Sequence, residues 1–521
     1  MSNTNIALKS LIQPSFEHLS SILEKQKSKK DAPNLYPIFK YVTNTDLTVN
    51  QAYLKLAKLN NNERSASFLF ESALNGDTVD RYSFIGINPR KIIKTGDDES
   101  VFTKDFCNVD PITILEDELK NYRQMELPGL PKLSGGAIGY ISYDCIKYFE
   151  PTAARPLKDV LKVPEAVLML CDLIVVFDHV YQRFQLVNNV QVPNNGDIKA
   201  NFEKAAAEIL EVEKILRADI PQSEIKPHQP PIKKNQTFTS NIGQEGYENH
   251  VSVLKDHILK GDIIQAVPSQ RVARPTSLHP FNIYTHLRTV NPSPYLFYID
   301  LVDFQIIGAS PELLVKSDEN DKIVTHPIAG TVKRGKTKEE DEENAQILRS
   351  SLKDRAEHIM LVDLARNDVN RVCEPTSTKV DRLLTIERFS HVMHLVSEVS
   401  GTLRKDKTRF DAFRSIFPAG TVSGAPKVKA MGLIGELEKE KRGVYAGAVG
   451  NWGYDGKSMN TCIALRTMVY KSNTAFLQAG GGIVFDSDPY EEYIETMNKM
   501  MANNNTIVEA ENFWIEKVGS V

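Results

Sequence analysis

At Gln478-Ala479-Gly480-Gly481-Gly482-Ile483, three consecutive glycines interrupt an otherwise apolar segment. Glycine allows a backbone to approach a ligand closely and adopts dihedral angles that other residues avoid. Apolar residues on both sides of the glycines predict strand, and residues 490–503 predict a helix. This helix would carry Glu492 and Glu495 on one face, three residues apart. The stretch therefore predicts a bare backbone beside two carboxylates.

A second acidic face is predicted within residues 338–365, which have a helical pattern. Apolar residues form one side of this helix, and Asp354 and Glu357 project from the other. Mg²⁺ in proteins takes one or two carboxylates together with substrate oxygens. One acidic pair on each of two helices therefore suits a divalent-ion site. The alternative is two solvated acidic faces, since glutamates near a helix start also favour the helix dipole.

Arg466 lies within residues 459–470, a segment that predicts one strand. The same predicted face carries the apolar residues Cys462, Ala464 and Met468. A buried charge without a partner is costly, so Arg466 needs an anion. That anion is either a protein carboxylate or a substrate carboxylate held by two guanidinium nitrogens.

Two glycine-threonine turns are candidates for binding a small anion. Residues 419–427 predict the start of a helix, with Ser423 near the N-cap and Pro426 in the first turn. Helix N-termini bind anions through their free N–H groups. The spacing is not that of a Walker A loop, so a small carboxylate fits better than a triphosphate. Residues 326–331 form the second turn.

Two kinds of side chain are candidates for proton transfer. Glu312 follows Pro311 at the end of a predicted strand, a placement that suits a general acid, although a surface turn is the alternative. His391 and His394 are three residues apart, and one of them could act as acid or base. The alternative for a histidine is a hydrogen-bonded place in the core.

Composition is that of an ordinary globular protein, with 41% hydrophobic and 25% charged residues. The net charge is -4 with both signs interspersed, so nothing indicates a nucleic acid or membrane partner. The longest apolar stretch, residues 167–177, is too short to span a bilayer and contains Asp172. The N-terminus has neither a secretory pattern nor the arginines of a mitochondrial presequence, so we expect a cytoplasmic location.

The order of elements predicts an α+β fold with largely antiparallel sheets and flanking helices. Hairpin turns outnumber strand-helix-strand units in the second half of the chain. Prolines and polar residues mark 218–241 as a linker between an N-terminal region, 1–217, and a catalytic domain, 242–521. Helices are predicted at residues 14–30, 198–216, 244–260 and 426–441, and a strand at 263–272.

Four motifs in the same order resemble the chorismate-utilising enzymes, and most closely the anthranilate synthase component I family. They are residues 327–331 (Pro-Ile-Ala-Gly-Thr), 361–368 (Leu-Val-Asp-Leu-Ala-Arg-Asn-Asp), 424–427 (Gly-Ala-Pro-Lys) and 478–480 (Gln-Ala-Gly). The resemblance covers residues 36–505. It implies an Mg²⁺-dependent lyase that converts chorismate and ammonia to anthranilate and pyruvate, the first step of tryptophan biosynthesis.

The resemblance also implies roles for individual residues. Glu357 and Glu495 look like the Mg²⁺ ligands, with Asp354 and Glu492 acting through water. Asp354 departs from the glutamate that relatives often have. Glu312 looks like the acid that protonates the departing C4 hydroxyl of chorismate. The remaining roles are a histidine for pyruvate elimination (His394), holders of the pyruvyl carboxylate (Arg466, Tyr445 and backbone near Gly480 and Gly482) and ring-side contacts (Gly330, Thr331 and Thr421).

Two neutral positions separate the branches of this family. Isochorismate-forming relatives have a lysine base where this chain has Gln265. Aminodeoxychorismate synthases typically have a nucleophilic lysine where this chain has Ala329. Neutral residues at both positions favour direct attack of ammonia on C2. An aminodeoxychorismate synthase and a silent tryptophan-sensing subunit are the rival interpretations.

The resemblance further implies a partner and an inhibitor. None of the five cysteines lies in the glycine-rich turn that a glutamine amidotransferase needs, so a separate amidotransferase subunit is expected to supply ammonia. The cysteine spacing likewise favours neither zinc nor disulfides. Residues 69–72 and 291–296 resemble a tryptophan site, with Glu71 and Ser72 at the ammonium and Pro294, Tyr295 and Leu296 nearby. A buried strand followed by a proline turn is the alternative.

Overall fold

A computed structural model describes residues 12–26, 32–43, 45–61, 64–72, 81–192, 197–388 and 392–520. Residues 27–30, at the end of the first predicted helix, and His391 lie outside these ranges. Within them no helix is both long and apolar enough to cross a membrane.

Helices and strands alternate irregularly along the described chain. The helices are α1 (Phe16–Gln26), α2 (Val49–Ala57), α3 (Pro111–Leu119), α4 (Ile146–Phe149), α5 (Ile198–Arg217), α6 (Gln222–Ile225), α7 (Gly243–Leu259), α8 (Pro280–Val290), α9 (Lys338–Ser350), α10 (Leu352–Asn370), α11 (Arg409–Ile416), α12 (Lys427–Glu438) and α13 (Pro489–Val518). The strands are β1 (Leu35–Val42), β2 (Ser67–Glu71), β3 (Tyr82–Gly86), β4 (Lys91–Thr95), β5 (Gly136–Ile141), β6 (Ala166–Cys171), β7 (Ile174–Asp178), β8 (Arg183–Gln191), β9 (Thr239–Ser240), β10 (Gln265–Ala266), β11 (Ser269–Pro275), β12 (Tyr295–Asp300), β13 (Gln305–Ser310), β14 (Leu313–Ser317), β15 (Lys322–Thr325), β16 (Ile328–Lys333), β17 (Lys379–Arg388), β18 (Val392–Thr402), β19 (Gly424–Ala425), β20 (Ala448–Gly453), β21 (Met459–Ile463), β22 (Thr467–Lys471) and β23 (Thr474–Gly480).

Two large antiparallel sheets organise these elements. The larger sheet has eleven described strands in the order β1-β8-β7-β3-β2-β12-β13-β22-β23-β11-β9. The smaller has ten, in the order β16-β18-β15-β14-β21-β20-β5-β6-β4, with β17 added at β18. The short strands β10 and β19 pair separately. The predicted α+β class with largely antiparallel sheets is confirmed.

The sheets pack face to face, and helices cover their outer faces. The cluster between them contains Phe68 and Phe297 from the larger sheet and Ile138 and Val449 from the smaller. Residues of α5 and α8 pack on the other face of the larger sheet. Residues of α3 and α11 do the same on the smaller sheet. The layering is therefore helix, sheet, sheet, helix.

Both sheets contain strands from both sides of the predicted linker. In the larger sheet, Glu71 of β2 pairs with Leu296 of β12. In the smaller, Ile141 of β5 pairs with Ala448 of β20. Backbone pairing therefore ties the two segments together. The division at residues 218–241 stays a proposal about how roles are distributed along the chain.

Three predicted elements differ from the observed ones. The helix expected at 338–365 is two helices, because Ser351 caps α10 by accepting a hydrogen bond from Asp354 N–H. The strand expected at 459–470 is wrong, because the chain leaves the smaller sheet after β21 and enters the larger one at β22. Between β21 and β22, Arg466 has a φ of 47°. The strand expected at 263–272 is likewise split into β10 and β11.

Candidate active site

The glycine tract is packed so closely that side chains would not fit. A Cβ on Gly480 would lie 2.5 Å from the Pro268 carbonyl oxygen. A Cβ on Gly481 would lie 2.9 Å from Glu492 Oε2, and one on Gly482 would lie 2.3 Å from Gln265 Nε2. Such separations are below van der Waals contact. The glycines thus let the backbone after β23 pass directly between side chains of β10 and α13.

The two predicted acidic faces meet at this backbone. Gln265 Nε2 donates to Glu357 Oε1 at 3.0 Å. Burial raises the pKa of the Glu357 carboxyl, and the charges of Glu495 and Asp354 raise it further. Asp354 also lies close to the second turn, since a Cβ on Gly330 would be 3.2 Å from its Oδ1. These carboxylates repel one another, and a cation bound among them would relieve the repulsion.

The Glu492 carboxylate has an oxygen that is available to such a cation. Its Oε1 accepts a hydrogen bond from Ser487 Oγ at 2.7 Å, while its buried Oε2 has no hydrogen-bond partner in the structure. Burial raises the pKa of the Glu492 carboxyl, against the Ser487 hydrogen bond. Within the described ranges, no three His, Cys, Asp or Glu side chains already form a metal-sized group. The oxygen donors fit a hard ion such as Mg²⁺ whose shell is completed by substrate and water.

Lys499 belongs to this cluster, although the sequence interpretation did not include it. Its Nζ lies 2.7 Å from Glu495 Oε1 and donates to the Gly480 carbonyl at 2.9 Å. Its charge opposes the raised pKa of Glu357. The sequence does contain one indication that Lys499 belongs to this cluster, because it lies four residues after Glu495 and therefore on the same helix face. Lys499 places a positive charge at Gly480, the first residue of the glycine tract.

Arg466 is held where the chain crosses between the sheets. Its guanidinium has no hydrogen bond or ion pair with any residue that the structure describes. Burial lowers its pKa, and the charge of Glu312 opposes this shift. Left-handed backbone is costly for a residue with a Cβ, so this conformation is imposed by its surroundings. The geometry favours an external carboxylate over a protein one.

Glu312 is buried, so the surface-turn alternative is wrong. Only 4% of the residue is exposed. Thr421 Oγ1 donates to Glu312 Oε1 at 3.0 Å, and the N–H of Ile328 also donates to the carboxyl. Burial raises the pKa of Glu312 to about 8, against these hydrogen bonds and the charge of Arg466. At neutral pH the side chain therefore carries a proton that it can donate.

His394 lies in β18, opposite Thr331 of β16, as a neutral imidazole. Burial, together with the positive charges of Arg466 and Lys499, lowers its pKa to about 4, against the hydrogen bond with Gly330. Its Nδ1 lies 3.0 Å from the Gly330 carbonyl oxygen and 3.0 Å from Thr331 Oγ1. Because a carbonyl only accepts, Nδ1 carries the proton and Nε2 carries the lone pair. The ring can therefore accept a proton at Nε2.

Tyr445 and Ala329 complete the neighbourhood. A Cβ on Gly480 would lie 3.1 Å from the Tyr445 hydroxyl, which interacts with the Gly480 N–H. Burial raises the pKa of Tyr445 to about 12, so the phenol stays protonated. Ala329 is buried in β16, where it pairs with Leu395 of β18. No titratable group stands at that position.

The predicted tryptophan residues lie together in the larger sheet. Glu71 is buried, its Oε2 accepts from the Tyr284 hydroxyl at 2.5 Å, and its Oε1 accepts from Arg288 at 2.8 Å. Ser72 follows Glu71, and residues 73–80 lie outside the described ranges. The sequence interpretation did not include Tyr284 and Arg288, which come from α8. Pro294 and Tyr295 are partly buried at the start of β12, opposite the end of β2.

This chain belongs to the chorismate-binding enzymes: the profile of the family described as "chorismate binding enzyme" matches residues 65–504. Similarity to individual proteins points to a narrower group within this family. The chain is 65% identical to anthranilate synthase component 1 of Saccharomyces cerevisiae over 513 residues, which cover 98% of this chain and 99% of that protein. The sequence-based family assignment is confirmed.

Solved structures agree with the fold. The crystal structure of anthranilate synthase component I from Streptococcus pneumoniae superimposes with a TM-score of 0.72 at 37% identity, covering 83% of this chain and 94% of that one. The isochorismate synthase MenF of Escherichia coli superimposes with a TM-score of 0.66 at 17% identity, covering 94% and 99%. Since an isochorismate synthase shares the fold, fold alone does not identify the product.

Proposed function

We propose that this chain is the large subunit of an anthranilate synthase, which forms anthranilate and pyruvate from chorismate and ammonia. The observation that carries the proposal is the buried Glu312, whose pKa is raised to about 8, near Arg466, whose guanidinium makes no hydrogen bond or ion pair with a described residue. A general acid beside a cation suits a dianionic substrate that must lose a hydroxyl group. Identity to anthranilate synthase component 1 across the chain supports the same assignment. The reaction is the first step of tryptophan biosynthesis.

The charges of the site are complementary to the two carboxylates of chorismate. Arg466 and the Tyr445 hydroxyl bind the pyruvyl carboxylate, next to the backbone N–H groups of the glycine tract. Glu357 and Glu495 would hold Mg²⁺, with Asp354 and Glu492 acting through water. When bound, the ion would neutralise the ring carboxylate of chorismate and help to stabilise the charge that develops as the hydroxyl leaves. Gly330, Thr331 and Thr421 contact the ring.

In the first step, ammonia forms a bond to C2, the ring double bonds shift, and the bond from C4 to its hydroxyl breaks. Glu312 gives its proton to that hydroxyl, which leaves as water. Gln265 is a neutral amide engaged with Glu357. It supplies no base to activate water, so ammonia is the nucleophile. The product is 2-amino-2-deoxyisochorismate.

In the second step, the enolpyruvyl group leaves and the ring becomes aromatic. His394 accepts the proton from C2 at Nε2, the bond from C3 to the ether oxygen breaks, and the enolpyruvate takes up a proton to give pyruvate. The neutral state of His394 suits this role, because an imidazolium has no lone pair. Because residue 329 is alanine, no nucleophilic lysine stands at this position to divert the intermediate.

The ammonia comes from glutamine through a partner amidotransferase subunit. Glutamine hydrolysis of this kind needs a reactive thiolate. Burial raises the pKa of all five cysteine thiols of this chain, which keeps them protonated. Free, unpaired thiols also suit the cytoplasm, where we place the reaction.

We predict that the purified chain forms anthranilate from chorismate, Mg²⁺ and an ammonium salt, but not when glutamine replaces ammonium. The chain has the proposed site at which ammonia attacks chorismate, but it has no reactive thiolate for glutamine hydrolysis. Anthranilate fluorescence measures both reactions, and EDTA is the control for the metal. Glutamine-dependent formation by the chain alone would contradict the need for a partner. Tryptophan binding without any turnover would favour the silent sensor.

Tryptophan inhibits the reaction by binding at Glu71, Ser72, Pro294, Tyr295 and Leu296 in the N-terminal region and at β12. We predict that Ser72→Leu raises the tryptophan concentration for half-inhibition about tenfold or more, because the larger side chain fills the space for the ammonium. The uninhibited rate should change less than about twofold, since Ser72 is not among the residues proposed to contact chorismate. Inhibition curves of both proteins test this. An unchanged half-inhibiting concentration would count against this location.

A further inference from the structure

The loop that carries Thr421 is closed at its base by one buried side chain. Lys427, the first residue of α12, donates from Nζ to Asp368 Oδ2 at 2.5 Å and to the Ile416 carbonyl at 3.1 Å. Asp368 lies near the end of α10, and Ile416 is the last residue of α11. The Lys427 and Asp368 side chains are 10% and 5% exposed. One ammonium therefore joins three helix ends around residues 417–426.

The rest of the loop is packed tightly, so movement at its base is transmitted to Thr421. A Cβ on Gly420 would lie 2.4 Å from Leu364 Cδ2 on α10. Ser423 Oγ donates to the Ala419 carbonyl at 2.8 Å, closing the loop on itself. The Val422 carbonyl accepts from Arg442 at 2.9 Å. Thr421, between these anchors, donates to Glu312.

Asp368, the partner of Lys427, and Glu312 also line one small cavity. A cavity of about 20 Å³ is lined by Glu312, Thr421, Asp368 and Ile416, among others. Arg466 is the charged group facing Glu312 from the chain crossing, and the pair of Lys427 and Asp368 lies on the loop side. The cavity has room for about one water molecule. A shift of the ion pair between Lys427 and Asp368 would therefore change the immediate surroundings of the Glu312 carboxyl.

We propose that Lys427, through its ion pair with Asp368, is a positioning residue that holds Thr421 on Glu312. This inference builds on the proposed function but predicts a property of Glu312 that is independent of turnover. The Thr421 hydrogen bond lowers the pKa of Glu312. If Lys427→Met releases the loop, that pKa rises, as it does when Thr421→Val removes the hydroxyl. A direct effect of losing the Lys427 charge would also raise the pKa, but it would persist without the Thr421 hydroxyl, so the double variant separates the two effects.

The test is a titration of the Glu312 carboxyl by ¹³C NMR in the full chain, with the resonance assigned from its loss in Glu312→Gln. Lys427→Met and Thr421→Val are each expected to raise the Glu312 pKa. Lys427→Met in the Thr421→Val background should add nothing further, because the hydrogen bond is already absent. Lys429→Met, an exposed lysine on the same helix, is the matched control and should change nothing. Asp368→Asn repeats the test by removing the other partner, should Lys427→Met fail to fold.

Turnover gives a second readout. In chorismate assays Lys427→Met should lower kcat about tenfold while KM stays within about twofold, and the alkaline decline of kcat should move to higher pH. A structural role alone would lower the active fraction equally at every pH. Effects that multiply in the double variant, or a Glu312 pKa unchanged by Lys427→Met, would overturn the proposal. An inactive wild-type chain would refute the proposed function, while the NMR titration would still decide the positioning role.

Discussion

Replacing Glu312 with glutamine should lower kcat/KM for chorismate about 10²- to 10⁴-fold, the range that a general acid contributes. Glutamine keeps the size of the side chain and an acceptor for Thr421, but it has no proton to give to the departing hydroxyl. Binding of chorismate should be retained, because Arg466 and the metal side of the site are unchanged. Rates with ammonium, together with chorismate binding by calorimetry, measure the two effects. A variant with more than about half of the wild-type activity would remove Glu312 from the mechanism.

The pH dependence supplies the matching control. The protonated form of Glu312 is the active one, and its pKa is about 8, so kcat/KM of the wild-type chain should fall as the pH rises through about 8. The Glu312→Gln variant should lack this decline, since its amide does not titrate. Both profiles must be recorded at a fixed concentration of un-ionised ammonia, because that concentration itself rises with pH. An identical decline in both proteins would assign the titration to another group.

Replacing Arg466 with methionine should lower kcat/KM about 30- to 5,000-fold, which corresponds to about 2–5 kcal/mol for truncating a buried charged partner. The loss arises because burial of the site would leave the substrate carboxylate without its cation. KM should rise more than kcat falls if the carboxylate is held equally in the ground and transition states.

Arg466→Lys is the matched control for charge. Lysine keeps the charge but cannot make two parallel hydrogen bonds, so it should recover only part of the loss. Full activity of Arg466→Lys would show that charge alone matters. Full activity of Arg466→Met would show that this residue does not bind the substrate.

Local patterns in the sequence were sufficient for the acidic faces and the glycine tract. Helical spacing placed Asp354 with Glu357, and Glu492 with Glu495, and three glycines signalled a close backbone approach. The structure brings these parts together at Gln265 and Gly482. Short-range periodicity determines which residues share a face, which is why this half of the site was predictable. Their chemical roles are implied by the family resemblance.

Other features depend on contacts between residues far apart in the chain, which no local pattern reveals. From sequence, Glu312 suited either a general acid or a surface turn, and only the fold shows that it is buried and that this burial raises its pKa. The strand around Arg466 was predicted to be continuous, because its apolar pattern does not show that the chain passes from one sheet to the other. For the same reason, Tyr284 and Arg288 were not predicted as partners of Glu71.

The most direct test of the proposed function is to supply ¹⁵N-ammonium with chorismate and Mg²⁺ and to identify the products by mass spectrometry, with pyruvate measured in the same sample. We predict labelled anthranilate and an equal amount of pyruvate, both absent when EDTA is present. A labelled aminated product without pyruvate would indicate an aminodeoxychorismate synthase. An unlabelled isochorismate would show that water is the nucleophile, and either result would contradict the proposed function.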